Sequence, residues 1–123
     1  MFPKVDIPVV QLSVNKNLSD EGYIIIDSGN VVHNLAMVEW DNEFGSEYAD
    51  EFDEEVKKNI LNGNYSEIMN GVKQKKNYNY AVTIREYFYP LLYVLGASTG
   101  RRVTIPNNIR NLGSMSMTSY LFE

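Results

Sequence analysis

Residues 78–95, YNYAVTIREYFYPLLYVL, constrain the fold more than any other part of this chain. They hold six of its fifteen aromatic residues (Tyr78, Tyr80, Tyr87, Phe88, Tyr89 and Tyr93), interspersed with aliphatic ones. From Thr83 onward Ile84, Phe88, Leu91, Leu92 and Leu95 recur at helical spacing, while Tyr87, Tyr89, Tyr93 and Val94 make the other faces apolar as well. A segment apolar on every side cannot face water, so it is expected in the core with the rest of the chain packed around it. Thr83-Ile84-Arg85-Glu86 has the form of a capping box, which starts a helix there. Pro90 would then kink that helix, because a mid-helix proline loses one hydrogen bond at a cost of about 3 kcal/mol. The competing assignment is a strand up to Tyr89 followed by a short helix opened by Pro90. Tyr78, Tyr80 and Val82 alternate with Asn79 and Ala81, which predicts a short strand ahead of either.

The strongest helix signal lies over residues 44–63. Ser46 is placed to cap, acids crowd the first turns where the helix dipole favours them, Lys57 and Lys58 sit near the end, and Gly63 closes it. Tyr48, Phe52, Val56 and Ile60 recur every four residues and form an apolar stripe with Ala49. The opposite face carries Glu47, Asp50, Glu51 and Glu54, with Asp53–Lys57 and Glu54–Lys58 as spaced ion pairs.

Elsewhere the signals are shorter. Residues 5–14 are β-branched but contain Pro8, which predicts an edge or bulged strand. Residues 15–21 are polar and turn-like. Residues 23–27 and 31–40 are apolar runs separated by Ser28-Gly29-Asn30, the pattern of a β-hairpin. Residues 66–75 predict a short helix capped by Asn64 or Ser66, and residues 102–105 a strand stopped by Pro106. Residues 114–122 close the sheet, with Met115, Met117 and Leu121 on one face and Tyr120 and Phe122 on the other; a terminal strand of this kind is easily lent to another subunit. Together these elements predict an α+β fold: a small, mainly antiparallel sheet packed against two or three helices, one domain over residues 1–123 with both ends held.

Charge divides the chain. Residues 1–55 hold two lysines against thirteen acids, whereas residues 56–122 hold nine cations against Glu67 and Glu86. Such asymmetry predicts oppositely charged surfaces: an acidic face of Glu47, Asp50, Glu51 and Glu54, and a basic face of Lys73, Lys75, Lys76, Arg101, Arg102 and Arg110. No apolar run approaches the roughly 20 residues of a membrane span, and the first residues do not lead into a signal-peptide core. The expected location is cytoplasmic, or within a virion.

Catalytic patterns are sparse. With no cysteine there is no thiolate chemistry, and with His33 as the sole histidine a metal site would have to be mostly carboxylate. Around Asp41, Glu43 and Glu47 the EF-hand pattern fails, because Gly45 occupies a ligand position and Ser46 the glycine position. The acidic segment over residues 39–55 could also imitate nucleic acid, though a solvated helix face is the commoner use of such a run. The loop over residues 96–102 has three residues between its glycines where a P-loop needs four, and then Arg-Arg in place of Lys-Ser/Thr. Lys73, Lys75, Lys76, Arg101, Arg102 and Arg110, with Tyr78 and Tyr80, resemble a single-strand nucleic-acid surface in composition only, against an overall charge of −5. His33 lies in an apolar run, where a hydrogen-bonded packing role is commoner than catalysis, and neighbouring Asp27-Ser28 belongs to a turn.

These observations predict a non-enzymatic protein–protein assembly component without cofactors, of a small viral or other multi-subunit kind, its subunits joined by complementary charge. An acidic inhibitor or immunity-type protein that occludes a basic site on an enzyme is the second reading. A small-molecule binder or enzyme with a pocket lined by Tyr78, Tyr80 and Arg101 or Arg102 is the third and least favoured.

Overall fold

The computed structural model describes residues 13–18, 23–98 and 100–123. Most of the strand expected over residues 5–14, and the packing expected of the N-terminus, lie outside them. In chain order the strands and α-helices are β1 (Ser13–Leu18), β2 (Tyr23–Asp27), α1 (Glu47–Leu61), α2 (Tyr65–Met69), α3 (Tyr78–Ala81), α4 (Tyr89–Ala97), β3 (Val103–Asn107), β4 (Arg110–Asn111), β5 (Met115–Ser116) and β6 (Ser119–Phe122). Short 3-10 turns at Leu35–Met37, Val72–Gln74 and Arg85–Tyr87 link them. The fold is α+β, as expected. One sheet has the order β2-β1-β6-β3, and β4 pairs with β5 as a separate ladder.

The larger sheet is antiparallel except where β1 and β6 run parallel, with Val14 opposite Leu121 and Asn15 opposite Phe122. β6 is therefore hydrogen-bonded on both sides, which corrects the expectation of a terminal strand free to be lent. Pro106 does not stop β3, because β3 is an edge strand and an edge tolerates the missing donor. The hairpin expected across Ser28-Gly29-Asn30 is displaced by one element: β2 pairs back to β1, Ser13 opposite Asp27. β1 thus occupies much of the stretch expected as a polar turn.

α1 follows its sequence signals closely. Ser46 accepts a hydrogen bond from the Ala49 amide, a cap of about 1 kcal/mol, and Gly63 takes φ +73° just past the C-terminus. Ala49, Phe52, Val56 and Ile60 are buried, while Tyr48 at the N-terminal end of the stripe is exposed. Asp53, expected to face solvent beside Lys57, is instead fully buried. Phe52 meets Tyr78 and Phe88 at 6.2 Å between ring centroids, and Tyr65 meets Phe122 edge-on at 6.1 Å.

The aromatic stretch is split. Phe88, Leu91, Val94 and Leu95 are core residues, but Ile84, Tyr87, Tyr89 and Tyr93 are exposed, so the expectation that every face of the segment avoids water is overturned. Pro90 neither kinks a helix nor follows a strand: it lies in the first turn of α4, where a missing amide costs nothing. Nor does the capping-box sequence start an α-helix, for Arg85–Tyr87 is a single 3-10 turn. Tyr78–Ala81 is helical rather than extended, entered through Asn77 at φ +65°, which puts Tyr78 and Ala81 together on the buried side. Among the described residues no helix is long and apolar enough to cross a membrane.

Candidate functional site

The residues around His33 are held by backbone and side-chain hydrogen bonds from two sides. The 31–40 run, expected as a strand, is irregular because its backbone serves two neighbours at once. The Asn30 amide donates to the Tyr87 carbonyl (2.7 Å) and the His33 amide to the Ala81 carbonyl (2.9 Å), on the side of α3 and the turn after it. On the other side the Ser116 amide donates to the Val32 carbonyl (3.0 Å) and the Asn34 amide to the Ser114 carbonyl (3.1 Å). Side chains complete the arrangement. Asn30 Nδ2 donates to the Ser116 carbonyl, Asn34 Nδ2 to the Tyr80 carbonyl, Thr83 Oγ1 to the His33 carbonyl and Ser114 Oγ to the Asn34 carbonyl, all at 2.7–2.8 Å. His33 is thereby held between Val82 and Met115, bridging to both.

Gly29 is required by this packing. A Cβ at position 29 would lie 2.2 Å from the Tyr87 carbonyl oxygen. The close approach lets the Tyr87 ring stack on the His33 imidazole, with centroids 3.9 Å apart and planes inclined by 20°.

His33 is 8% exposed, and its Nδ1 has no hydrogen-bond partner among the described residues. Desolvation lowers its pKa below the ordinary 6.5, against an opposing backbone hydrogen bond, so the imidazole is neutral at pH 7. A neutral, rigidly placed imidazole with an unengaged nitrogen is suited to taking up or delivering a proton. The hydrogen-bonded packing histidine expected from the sequence would have that nitrogen satisfied. What hid the site is that Tyr87 is 54 residues away in sequence, and that the histidine lies within a run that reads as plain core.

Linkage gives a direct check on this environment. The unfolded chain protonates His33 at higher pH than the folded chain does, so stability is full above pH 6.5 and falls as pH drops from 6.5 toward the lowered folded value. Among the described residues, two carboxylates have pKa values lowered from 4.5. Glu51 is held there by hydrogen bonds from Lys76 and Asn77; Glu54, despite desolvation, by hydrogen bonds from Arg110 and Lys57. Their contributions fade only below pH 4.5. Urea unfolding between pH 4.5 and 6.5 should therefore show a slope that H33Q removes; a slope unchanged in that variant would contradict the buried neutral imidazole.

The charged residues are largely paired with one another. Lys76 meets Glu51 at 2.8 Å, Lys75 meets Glu55 at 3.2 Å and Glu67 at 3.6 Å, and Arg102 meets Glu123 at 2.8 Å. Arg110 binds Asp53 through Nε at 2.7 Å and also reaches Glu54 and, at 3.6 Å, Asp50. Glu47 and Lys73 are exposed, and Arg101 lies in the loop before β3. The structure thus brings Asp50, Glu51 and Glu54 of the acidic face together with Lys76 and Arg110 of the basic set within one molecule. Buried Asp53 also accepts hydrogen bonds from Ser116 Oγ (3.0 Å) and Thr118 Oγ1 (2.8 Å). The hydroxyl of buried Tyr120 has no partner among the described residues, and its pKa is pushed well up, first by burial and then by the Asp53 charge.

No protein-family model matches the chain. The chain is similar to 4,5-DOPA dioxygenase extradiol of Escherichia coli (strain K12), 35% identical over 144 aligned residues that cover 97% of this chain and 51% of the relative. It is also similar to the protein of the same name from Beta vulgaris, 30% identical over 99% of this chain and 52% of the relative. A solved structure of an uncharacterized protein from Escherichia coli K12 superposes with a TM-score of 0.74 at 34% identity, covering 84% of this chain and 44% of that one. These findings overturn the expectation of a non-enzymatic, viral or structural assembly component, because the Escherichia coli and Beta vulgaris relatives are named as dioxygenases, which are enzymes. Sequence reasoning missed this because it sought a complete catalytic pattern, and the chain spans about half the length of the curated relatives it matches.

Proposed function

We propose that this chain is one part of an extradiol dioxygenase acting on DOPA or a similar catechol, and that His33 is its acid–base residue. The observation that carries the reading is the near end-to-end alignment with the Escherichia coli 4,5-DOPA dioxygenase extradiol. The buried neutral imidazole supports it, since a catechol must lose hydroxyl protons before dioxygen can attack the ring, and phenols hold theirs to a pKa of about 10. The Tyr87 ring beside His33 offers an aromatic face for a planar substrate.

An oxygenase of this kind uses a redox metal, commonly held by two histidines and one carboxylate. The residues present do not fit that set. The whole chain contains one histidine and no cysteine, and among the described residues no group of three or more His, Asp or Glu could hold an ion. What this chain supplies is the proton-handling and positioning side: His33 held by backbone bonds on both flanks, Thr83 and Asn34 fixing its neighbourhood, and Gly29 allowing Tyr87 to approach.

The reading is tested in a single polypeptide in which this chain replaces the matching part of the Escherichia coli relative. Dioxygen uptake on DOPA is expected, reduced by roughly 10²- to 10⁴-fold in H33Q. Uptake equal in the two proteins would remove His33 from the chemistry, and a folded hybrid with no uptake would remove the activity.

A further inference from the structure

We infer that Asp53, acting through Ser116, is a positioning residue for His33: the buried carboxylate fixes the register of β5, and β5 sets where the imidazole stands. The consequence for the reaction rests on the acid–base reading of His33 above; the placement itself does not. β5 is 2 residues long, Met115 and Ser116, and a ladder so short specifies its own register weakly. Yet it holds partners on both edges. On one edge Arg110 stands opposite Ser116 and Asn111 opposite Met115. On the other the Ser116 amide donates to the Val32 carbonyl, Met115 bridges to His33, and the preceding Ser114 carbonyl accepts the Asn34 amide. A slip of one residue in β5 would exchange the faces of Met115 and Ser116 and carry the His33 segment with it.

Side chains oppose that slip. Ser116 Oγ donates to Asp53 Oδ1 at 3.0 Å, while Asp53 Oδ2 accepts from Arg110 Nε at 2.7 Å and from Thr118 Oγ1 at 2.8 Å. Arg110 is thus both the countercharge of Asp53 and the backbone neighbour of Ser116, so α1, β4 and β5 are locked at one point. Hydrogen bonds to an ionised acceptor are roughly twice as strong as neutral ones, and fixing a register is the best-attested use of a buried ion pair. The other end of the lock is the ring pair. The Ser116 carbonyl accepts from Asn30 Nδ2 at 2.7 Å, and the Asn30 amide donates to the Tyr87 carbonyl at 2.7 Å. Through Val32 and Asn30, Ser116 therefore holds the backbone beside both members of the His33–Tyr87 stack.

The test compares S116A with T118V by NMR of this chain. Each removes one hydroxyl donor from Asp53, but only Ser116 belongs to β5; Thr118 lies between β5 and β6. In S116A the ring-current shift of the His33 protons should fall by half or more, and the NOEs between the two rings should weaken. T118V should keep both as in the parent. The proposal is overturned if S116A keeps them, or if T118V loses them as S116A does, since that would be general loosening. Should S116A fail to fold, hydrogen exchange of the parent decides. The amides of Asn30, Asn34, Ser116 and Thr118 are expected to open as one unit, with protection alike within about tenfold; Asn30 and Asn34 opening well ahead of the other two would overturn the proposal. In the hybrid described above, S116A should lower dioxygen uptake on DOPA by about tenfold or more, and T118V should leave it near the parent's. Uptake lowered by H33Q but not by S116A would also overturn it. Uptake that H33Q leaves unchanged removes the acid–base reading, and the NMR comparison then decides the placement alone.

Discussion

Replacement of Arg110 by methionine is expected to destabilise the protein by about 3–5 kcal/mol, the range seen when one partner of a buried ion pair is removed. Asp53 is fully buried on α1, and among the described residues Arg110 Nε is its one cationic contact, at 2.7 Å. Without the guanidinium the carboxylate keeps its hydrogen bonds from Ser116 and Thr118 but has no countercharge. Methionine fills a similar volume, so the loss reports charge rather than cavity. The double variant D53N/R110M should recover most of the stability, because the uncompensated charge is gone. Urea unfolding of the four proteins decides it: an R110M chain within about 1 kcal/mol of the parent would show that the two hydroxyls suffice for Asp53. The exposed pairs, Arg102 with Glu123 for example, are expected to matter far less, since solvent screens them.

Alanine at Gly29 is the second large effect. The added Cβ would sit 2.2 Å from a backbone carbonyl, that of Tyr87, which already accepts the Asn30 amide. Overpacking costs typically 1–3 kcal/mol and more where the neighbour cannot rotate away, so a loss of about 3 kcal/mol or more is expected. It should come with separation of the His33 and Tyr87 rings. Gly63 is the contrasting position: its φ is positive but none of the described residues comes within 4 Å of an added Cβ, so alanine there should cost only about 1 kcal/mol. Unfolding free energies together with the ring-current shifts of the His33 protons by NMR would check both. A G29A protein as stable as the parent, with those shifts unchanged, would mean that the two segments separate freely.

The site was legible only in fragments. His33 and the tyrosines stand out in the sequence, but nothing local brings residue 87 onto residue 33, and an apolar run such as Val31-Val32 is equally consistent with a strand, a helix or a bridging segment. Asp53 was indistinguishable from the other acids of α1 because its partners, Arg110, Ser116 and Thr118, come from the far end of the chain. The charge division was real as arithmetic but silent about space. Lys76 and Arg110 fold back onto the acidic helix, so cations distant in sequence become neighbours of the carboxylates.

The sequence by itself determined the elements whose cause lies within one or two turns. These are α1, with its Ser46 cap, acidic first turn, four-residue apolar stripe and Gly63 stop, and the presence of a helix after Pro90, where the ring excludes the amide. It also determined that one histidine is all the imidazole available. Tertiary structure alone decided that residues 31–34 would bridge two layers, that β6 would be internal to the sheet, that Tyr78–Ala81 would be helical, and that half of the aromatic segment would be left in the open. Those outcomes depend on backbone partners tens of residues away. A hydrogen bond to a distant carbonyl leaves no periodicity in the sequence that makes it.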